Sequence, residues 1–370
     1  MKFFYDTTEI LVWEGEHTGI QRVVHGYAQG FKELRADTTF FYIHDGIGYL
    51  CGSDEVLDLK EGDIVFTASA NWDRMENLCF FENAKQSGAY CVNLYYDLTP
   101  IVIPHSFKPG FCDRFVSWFG QATKSFDYHL TISEHSKKDL VLHSAELNEN
   151  NVQVVRLADQ IHSVDILDTP EEELFLSSYG LSEYLLSVGT IEFRKNHITL
   201  INAYRQLVKQ GLENLPKLVI AGRFGWMDLD LKYQADNDPV LKGKIIFIDS
   251  AKDSQLDCLY RNCLFTLYAS IYEGWGLPIA ESLNYGKPCI ISDNTSLPEI
   301  APGLTHMART LDPYDWAEKI SSLYYDKDFY NASVANINEQ FESTSWLNAS
   351  QQILNFLEGR HSKLIGKRLL

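Results

Sequence analysis

Short apolar runs alternate with stretches of helical periodicity along the whole chain of 370 residues. Apolar positions recur every three or four residues in a helix, whereas a buried strand reads as a short continuous apolar run. Repeated alternation of the two predicts parallel, doubly wound α/β sheets. The predicted strands are 2–5, 38–43, 64–67, 90–94, 128–132 and 152–157 in the first half, and 184–188, 217–221, 244–248, 264–268 and 288–292 in the second.

The alternation is interrupted near 168–173 by a polar stretch that contains Pro170. Such a stretch is typical of a linker. We therefore expect a first α/β domain over 1–167 and a second over 168–345. A C-terminal helix and basic tail, 346–370, is expected to pack back toward the first domain. Two such domains would present ligand sites at the carboxyl ends of their strands, on either side of a cleft.

The most informative segment is 272–281 (YEGWGLPIAE), which follows a predicted strand. Its glycines allow a tight turn, and Pro278 suits the first position of a helix, where no N–H is needed. The segment is therefore expected to place Glu273 in a loop and Glu281 on the first helical turn. Carboxylates accept hydrogen bonds from sugar hydroxyls, and helix N-terminal amides favour phosphate, so this turn suits a nucleotide sugar.

Three segments resemble motifs of the retaining glycosyltransferases of family 4. Glu273 and Glu281, with seven residues between them, resemble the acidic signature of that family. The segment 187–197 (SVGTIEFRKNH) resembles its diphosphate-binding turn, and 296–300 (SLPEI) resembles a third motif. The motifs occur in the expected order, and the likeness covers most of the chain. It implies the GT-B fold, in which two Rossmann-like domains with parallel sheets face a central cleft.

The resemblance also implies roles for residues of the second domain. Arg194 and Lys195 would bind the donor diphosphate, Glu273 the hydroxyls of the transferred sugar, and Glu281 the ribose. Backbone amides that would orient the sugar belong to Trp275, Gly276 and Leu277. No carboxylate is assigned as a nucleophile. Arg194, Lys195 and Glu273 would act by stabilising the departing diphosphate and by positioning the reactants.

The first domain contributes a helix start and acceptor-side candidates. Apolar residues at helical spacing begin at Ile20, so Thr18 is a candidate cap and Gly19 opens the helix. This turn resembles the family's Thr-Gly-Ile segment, whose glycine lets the backbone approach the donor phosphate. The acceptor-side candidates are Tyr96, Asp97 and Ser133. Tyr96 stands where many relatives have histidine, and the role of that histidine is not carried over to Tyr96. Ser133 fits a helix N-cap equally well.

The composition of the chain favours some classes of protein and argues against others. With 45% hydrophobic and 22% charged residues the chain reads as a globular protein, and its net charge of −18 argues against a nucleic-acid binder. A phosphate-bearing substrate then needs a local positive site, for which Arg194 and Lys195 are the candidates. The seven cysteines are scattered, odd in number and without a Cys-x-x-Cys pair, which favours reduced thiols in a cytosolic protein.

The termini and the apolar runs indicate a cytoplasmic protein. Residues 1–6 (MKFFYD) reach a charge almost at once, which is unlike a secretory signal, and no apolar run approaches the ~20 residues of a membrane span. The tail 360–370 mixes basic and apolar residues. A frayed end, the edge of a longer polypeptide and peripheral contact with the inner face of the plasma membrane remain alternatives for this tail.

Two acidic pairs resemble divalent-cation motifs but favour solvated loops. Asp228 with Asp230, and Asp236 with Asp238, lie in a polar stretch, and hard cations need several converging oxygens. We therefore expect no metal and no cofactor beyond the donor substrate. A dinucleotide fingerprint at 46–48 is also disfavoured, because no helix is predicted after it. Trp226 and Trp275 flank the expected cleft and suit stacking on a sugar or base.

Together with these observations, the resemblance to family 4 implies a configuration-retaining, metal-independent hexosyltransferase. Its partners would be a nucleoside-diphosphate sugar and a glycan or lipid-linked glycan acceptor, with polysaccharide-assembly proteins as further partners. The resemblance to bacterial surface-polysaccharide mannosyl- and rhamnosyl-type enzymes favours GDP-mannose as donor. A sugar-nucleotide epimerase of the same fold and a catalytically silent sugar-nucleotide-binding subunit remain alternatives.

Overall fold

The computed structural model describes residues 2–12, 19–53, 55–159, 166–212, 214–225 and 229–368. The chain forms two compact units. The first comprises Met1–Ala158 together with Thr344–Leu370, and the second comprises Asp159–Ser343.

The first unit is built on a seven-stranded sheet with the order β3-β2-β1-β4-β5-β6-β7. Its strands are β1 (Phe3–Asp6), β2 (Thr39–His44), β3 (Ile47–Leu50), β4 (Ile64–Thr67), β5 (Tyr90–Tyr95), β6 (Tyr128–Thr131) and β7 (Val152–Val154). Only β3 runs antiparallel to its neighbour. The central strands β1 and β4 are buried along their whole length, because helices cover both faces of a parallel sheet.

Helices connect these strands. They are α1 (Thr8–Leu11), α2 (Ile20–Leu34), α3 (Asn77–Gln86), α4 (Thr99–Val102), α5 (Phe111–Ser125) and α6 (Glu134–His143). The predicted apolar stripe of α2 is confirmed, since Val23, Val24, Tyr27 and Phe31 are all buried.

The second unit is built on a six-stranded, fully parallel sheet with the order β10-β9-β8-β11-β12-β13. Its strands are β8 (Tyr184–Val188), β9 (Lys217–Ala221), β10 (Ile245–Ile248), β11 (Thr266–Tyr268), β12 (Cys289–Ser292) and β13 (His306–Ala308). Its helices are α7 (Thr169–Ser178), α8 (His197–Lys209), α9 (Leu229–Asn237), α10 (Asp253–Asn262), α11 (Leu277–Asn284), α12 (Pro313–Tyr325) and α13 (Lys327–Gln340). The two sheets confirm the predicted pair of doubly wound α/β units.

The last helix, α14 (Trp346–Arg368), belongs to the first unit, where it packs against α2. Glycines on α2 make that close packing feasible. A Cβ atom on Gly26 would lie 2.1 Å from the Trp346 ring, and one on Gly30 would lie 2.2 Å from Ser350 Oγ. The Tyr27 and Trp346 rings meet edge to face with their centroids 5.4 Å apart. A larger residue at either glycine would therefore push α14 away from the unit.

Three features differ from the sequence-based expectation. The strands β3 and β13, which complete one edge of each sheet, were not predicted. The stretch 168–173, expected to be a linker, begins α7 instead, because Asp168 and Glu171 form a reciprocal capping box at its N-terminus.

All seven cysteines lie in the described part of the chain, and none is in a disulfide. No helix of the described residues has the length and apolar character needed to cross a bilayer.

Candidate active site

The topology of the second unit brings its candidate residues together. Strands β8 and β11 are parallel neighbours, yet the chain leaves them in opposite directions across the sheet. Ligands of doubly wound sheets bind beyond the carboxyl ends of the strands at such a switch point. Arg194 and Lys195 follow β8, and Glu273 follows β11, so side chains almost 80 residues apart meet at one edge of the sheet.

The Glu273 carboxylate is the centre of this cluster. Its Oε1 accepts hydrogen bonds from Lys195 Nζ at 2.6 Å, Ser270 Oγ at 2.7 Å and Tyr268 OH at 3.1 Å. Its Oε2 accepts one from Arg194 NH1 at 2.6 Å. Only 9% of the Glu273 side chain is exposed. Two cations and two hydroxyls therefore enclose one buried carboxylate.

The charges in the cluster stabilise Glu273 as a carboxylate. Burial by itself would raise the pKa of Glu273, but the positive charges of Arg194 and Lys195 outweigh burial and hold the pKa at about 2. Burial lowers the pKa of Lys195, and the ion pair with Glu273 opposes that shift. Since both carboxylate oxygens already accept hydrogen bonds, a proton on Glu273 would face donors only. Glu273 and Lys195 therefore form a charged pair.

A second carboxylate orients Arg194. Glu192 Oε1 accepts a hydrogen bond from Arg194 NH2 at 2.8 Å, and the Tyr272 carbonyl accepts one from NH1 at 3.1 Å. The Arg194 carbonyl in turn accepts the Ile271 amide at 2.8 Å. The guanidinium thus bridges two carboxylates and the loop after β11. The formal charges of Glu192, Arg194, Lys195 and Glu273 cancel.

His197, the first residue of α8, adds a buried neutral ring next to these charges. Burial, reinforced by the positive charge of Lys195, lowers the pKa of His197 to about 3. Among the described residues its Nδ1 has no hydrogen-bond partner. The ring is therefore uncharged at neutral pH, and it leaves Arg194 and Lys195 as the cations of this turn.

The loop after β11 turns into α11 at Gly276. Gly276 has φ +152°, and a Cβ atom there would lie 2.8 Å from Ile300 Cδ1, so a side chain would be both strained and crowded. Helix α11 begins at Leu277, which places Pro278 at its second position and Glu281 at its fifth. The expectation that Pro278 is the first helical residue, with Glu281 on the first turn, was therefore wrong by one residue.

Glu281 is buried, and its carboxylate binds one of two stacked tyrosines. Its Oε2 accepts a hydrogen bond from Tyr260 OH at 2.9 Å. The Tyr260 ring stacks on Tyr285 with centroids 5.3 Å apart and planes 6° from parallel, and Tyr285 OH donates to Asp257 at 2.7 Å. Tyr260, on α10, therefore contributes to the orientation of Glu281.

The amides expected to orient the sugar belong to the same loop and helix start. Trp275 is 7% exposed, and its carbonyl lies 2.9 Å from Ser296 Oγ. The ring consequently offers little surface for the predicted stacking on a sugar or base. Leu277 is half-buried. Trp226, the other stacking candidate, lies outside the described residues.

The acceptor-side candidates lie in the first unit, where each has a structural contact. Tyr96 OH donates to the Ala68 carbonyl at 2.7 Å, and burial raises the pKa of Tyr96 well above its ordinary value. Asp97 Oδ1 accepts the Thr99 amide at 2.9 Å. Ser133 caps α6 by accepting the Ser136 amide at 3.0 Å. Gly19 opens α2 with φ +52°, and its neighbour Thr18 lies outside the described residues.

Both members of the second acidic pair considered for a metal have other contacts. Asp236 pairs with Lys232 at 3.1 Å, and Asp238 pairs with Arg205 at 2.6 Å. Asp228 lies outside the described residues, and no three acidic, histidine or cysteine side chains converge on a cation position among those that are described.

Sequence reasoning missed several residues of the cluster. Glu192 lies inside the motif at 187–197, two residues before Arg194, but its pairing depends on the turn Phe193–Lys195. Tyr268 and Ser270 flank the end of β11 and read as ordinary strand and loop residues. Tyr260 has no local signal at all, because its contact with Glu281 joins two helices.

Comparison with known proteins adds three sequence findings. Residues 171–340 match the family model described as glycosyl transferases group 1. The chain is 30% identical over 229 residues to O-antigen chain mannosyltransferase B of Escherichia coli, which covers 61% of this chain and 59% of that protein. It is 25% identical over 260 residues to the serotype-specific mannosyltransferase WbdA of Escherichia coli, covering 68% of this chain and 32% of that protein. The chain thus spans less than two thirds of the length of these relatives.

Solved structures share the fold. The Anabaena protein HepE, crystallised with UDP-glucose, superimposes with a TM-score of 0.67 at 13% identity, covering 97% of this chain and 100% of HepE. TarM superimposes with a TM-score of 0.58 at 15% identity, covering 85% of this chain and 61% of TarM. These likenesses, together with the two doubly wound sheets, confirm the predicted GT-B fold with its two α/β domains.

Proposed function

We propose that this chain transfers a hexose from a nucleoside-diphosphate sugar to a glycan acceptor, because residues 171–340 match the family model described as glycosyl transferases group 1. The observation that carries the proposal is the cluster at the switch point of the second unit, where Arg194 and Lys195 both bind Glu273 at 2.6 Å. Cations at the carboxyl ends of parallel strands suit a diphosphate, and a carboxylate beside them suits sugar hydroxyls.

In the proposed reaction, Arg194 and Lys195 stabilise the negative charge that develops on the departing diphosphate. Preorganised charges inside a buried site do this with little reorganisation. Glu273 orients the transferred sugar through its hydroxyls, and Glu281 binds the ribose. Glu273 is assigned an orienting role and not that of a nucleophile, as the resemblance to family 4 implies. A transfer that retains configuration is part of the proposal and rests on the resemblance to family 4.

The relatives suggest a finer assignment. O-antigen chain mannosyltransferase B and the O-antigen chain mannosyltransferase RfbU of Salmonella typhimurium, which is 24% identical over 266 residues, are named for mannose and for O-antigen. We propose GDP-mannose as donor and a growing surface polysaccharide, free or lipid-linked, as acceptor. The reaction would take place in the cytoplasm or at the inner face of the plasma membrane, and assembly proteins of the polysaccharide would be its partners.

The decisive experiment incubates the purified chain with GDP-mannose, UDP-glucose and related donors, each with and without a panel of glycan acceptors. Chromatography and mass spectrometry then identify the products. We expect nucleoside diphosphate and an extended glycan, formed by the wild type and strongly reduced in Lys195→Ala. The matched control is Lys232→Ala, which removes a surface lysine of the same unit that pairs with Asp236. An epimerised donor, or donor binding without any product, would contradict the proposal.

Metal independence is tested in the same assay. If Arg194, Lys195 and helix N-terminal amides neutralise the diphosphate, transfer should continue in excess chelator, since no ion is needed as a Lewis acid. Loss of transfer with chelator, followed by rescue with manganese or magnesium, would contradict this part of the proposal and would direct attention to Asp230, Asp236 and Asp238.

A further inference from the structure

The loop that carries Glu273 is buried but has no regular secondary structure. Residues 272–276 are all buried, and they connect β11 to α11. Buried backbone N–H and C=O groups need hydrogen-bond partners, and an irregular loop cannot supply them to itself. The partners must therefore come from neighbouring segments.

Three consecutive side chains after β12 supply these partners. Asn294 Nδ2 donates to the Ile271 carbonyl at 2.5 Å. Thr295 Oγ1 accepts the Glu273 amide at 3.2 Å. Ser296 Oγ lies 2.8 Å from the Glu273 carbonyl and 2.9 Å from the Trp275 carbonyl, so its single proton is shared between the two. We call residues 294–296 the loop clamp.

The loop clamp holds Glu273 on both sides of its Cα atom. Thr295 binds the amide of Glu273, and Ser296 binds its carbonyl. These two contacts fix the backbone from which the carboxylate side chain extends. The side chain itself binds Arg194 and Lys195. The position of the carboxylate therefore depends on the loop clamp as well as on the cations.

Thr295 adopts a backbone conformation that its side chain disfavours. Its φ is +52°, in the left-handed region, where a β-branched residue is a genuine outlier. Such strain persists only where the surrounding structure enforces it, and it concentrates at functional sites. Asn or Gly would fit this backbone with less strain. Neither would offer the hydroxyl acceptor at the same place.

We propose that Thr295 and Ser296 are positioning residues for the transfer reaction, because they fix the backbone of Glu273 and thereby its carboxylate. The proposal rests on the function proposed above. It predicts that loss of either hydroxyl leaves donor binding nearly intact but misplaces the group that orients the sugar. Small displacements of an orienting group reduce turnover strongly.

The test compares Thr295→Val and Ser296→Ala with Thr295→Ser. Valine keeps the shape and the β-branch of threonine but removes the acceptor, whereas serine keeps the hydroxyl. Ser333→Ala is the control, because Ser333 Oγ donates to the Phe329 carbonyl at 2.9 Å elsewhere in the unit. We expect kcat to fall tenfold or more in Thr295→Val and Ser296→Ala, with the donor KM within about twofold of wild type. Thr295→Ser and Ser333→Ala should stay close to wild type.

Hydrogen exchange followed by mass spectrometry tests the loop clamp without any need for activity. Peptides covering 271–276 should exchange at least tenfold faster in Thr295→Val and Ser296→Ala than in wild type. In Thr295→Ser and Ser333→Ala the same peptides should exchange at the wild-type rate. If wild type transfers no sugar, the proposed function fails while this measurement still decides the loop clamp. Unchanged exchange in both hydroxyl-deleted variants, or a kcat within twofold of wild type in both, would overturn the proposal.

Discussion

Replacing Glu273 by glutamine should separate the structural role of the carboxylate from its role in the reaction. Glutamine keeps the size of the side chain but has only one acceptor oxygen. Among the described residues, three donors surround Oε1 and one, Arg194 NH1, binds Oε2. The amide oxygen should therefore take the Oε1 position. Its NH2 group would then face the Arg194 guanidinium, which has donors only, and Arg194 would lose this partner.

The magnitude follows from the pKa of Glu273. The difference between its ordinary value of 4.5 and about 2 corresponds to roughly 3 kcal/mol in favour of the charged form, at about 1.4 kcal/mol for each pH unit. Removing one partner of a buried ion pair typically costs about 3–5 kcal/mol, because the other charges remain buried. For a unit of this size, a loss of roughly 3 kcal/mol lowers the unfolding temperature by roughly 6–12 °C.

The same substitution should raise the affinity for a nucleoside diphosphate, although it lowers the stability of the unit. In wild type a diphosphate competes with Glu273 for Arg194 and Lys195, whereas in Glu273→Gln the guanidinium is released from that competition. Since a hydrogen bond to a charged group contributes about 1.5–3 kcal/mol, we expect nucleoside-diphosphate affinity to rise by about tenfold. Sugar transfer should nevertheless fall by about a hundredfold or more, because the transferred sugar loses its orienting carboxylate.

Three measurements check this reasoning: thermal unfolding without ligand, titration calorimetry with a nucleoside diphosphate, and steady-state transfer. The control is Glu318→Gln, which removes the same charge from an exposed position on α12. An unfolding temperature equal to wild type, together with diphosphate affinity reduced tenfold, would refute the account, since Glu273 would then neither balance the cations nor compete for them.

Three further predictions test neighbouring parts of the site. Arg194→Ala should weaken diphosphate binding by about 1.5–3 kcal/mol and change bare nucleoside binding far less, and equal losses in calorimetry would place Arg194 elsewhere. Tyr260→Phe deletes the hydroxyl that donates a hydrogen bond to Glu281, so it should raise the KM for the nucleotide sugar about fivefold with little change in kcat. Glu281→Ala should raise this KM more strongly. An effect on kcat alone would contradict the ribose assignment. Between pH 6.5 and about 3 the unfolded chain protonates His197 while the folded chain does not. His197 should therefore contribute a fall in the free energy of unfolding of about 1.4 kcal/mol per pH unit on acidification, and urea titrations of His197→Gln should show a slope shallower than wild type by that amount.

Most strands could be predicted because buried parallel strands are short and continuously apolar. Strand β3 was missed although its signal was present. Asp45 and Gly46 both have positive φ, 50° and 73°, as a two-residue hairpin between β2 and β3 requires. Only Gly46 of this Asp-Gly pair was considered, as the first residue of a possible dinucleotide motif at 46–48. Strand β13 carries no comparable signal, because its three residues have neither alternation nor a flanking hairpin turn.

The pairing of Arg194 and Lys195 with Glu273 follows from topology, because each residue comes just after one of two adjacent strand ends. The partners that orient these groups could not be predicted in the same way. Thr295 and Ser296 reach the loop only because β12 lies beside β11 in the sheet, with its following turn in one particular conformation. Side chains that contact backbone groups across two loops leave no periodic pattern in the sequence.

The charge balance of the cluster explains how an acidic protein accommodates a phosphate site. The net charge is −18, but at physiological ionic strength charges more than about 8 Å apart in solvent are largely screened, so the local set dominates. In the resting protein Glu192 and Glu273 neutralise Arg194 and Lys195, which avoids a buried excess of positive charge. In the proposed function, a diphosphate that takes over the two cations also releases the Glu273 carboxylate to accept sugar hydroxyls. Diphosphate and sugar are then recognised jointly, because the acceptor for the sugar becomes available only when the phosphates are bound.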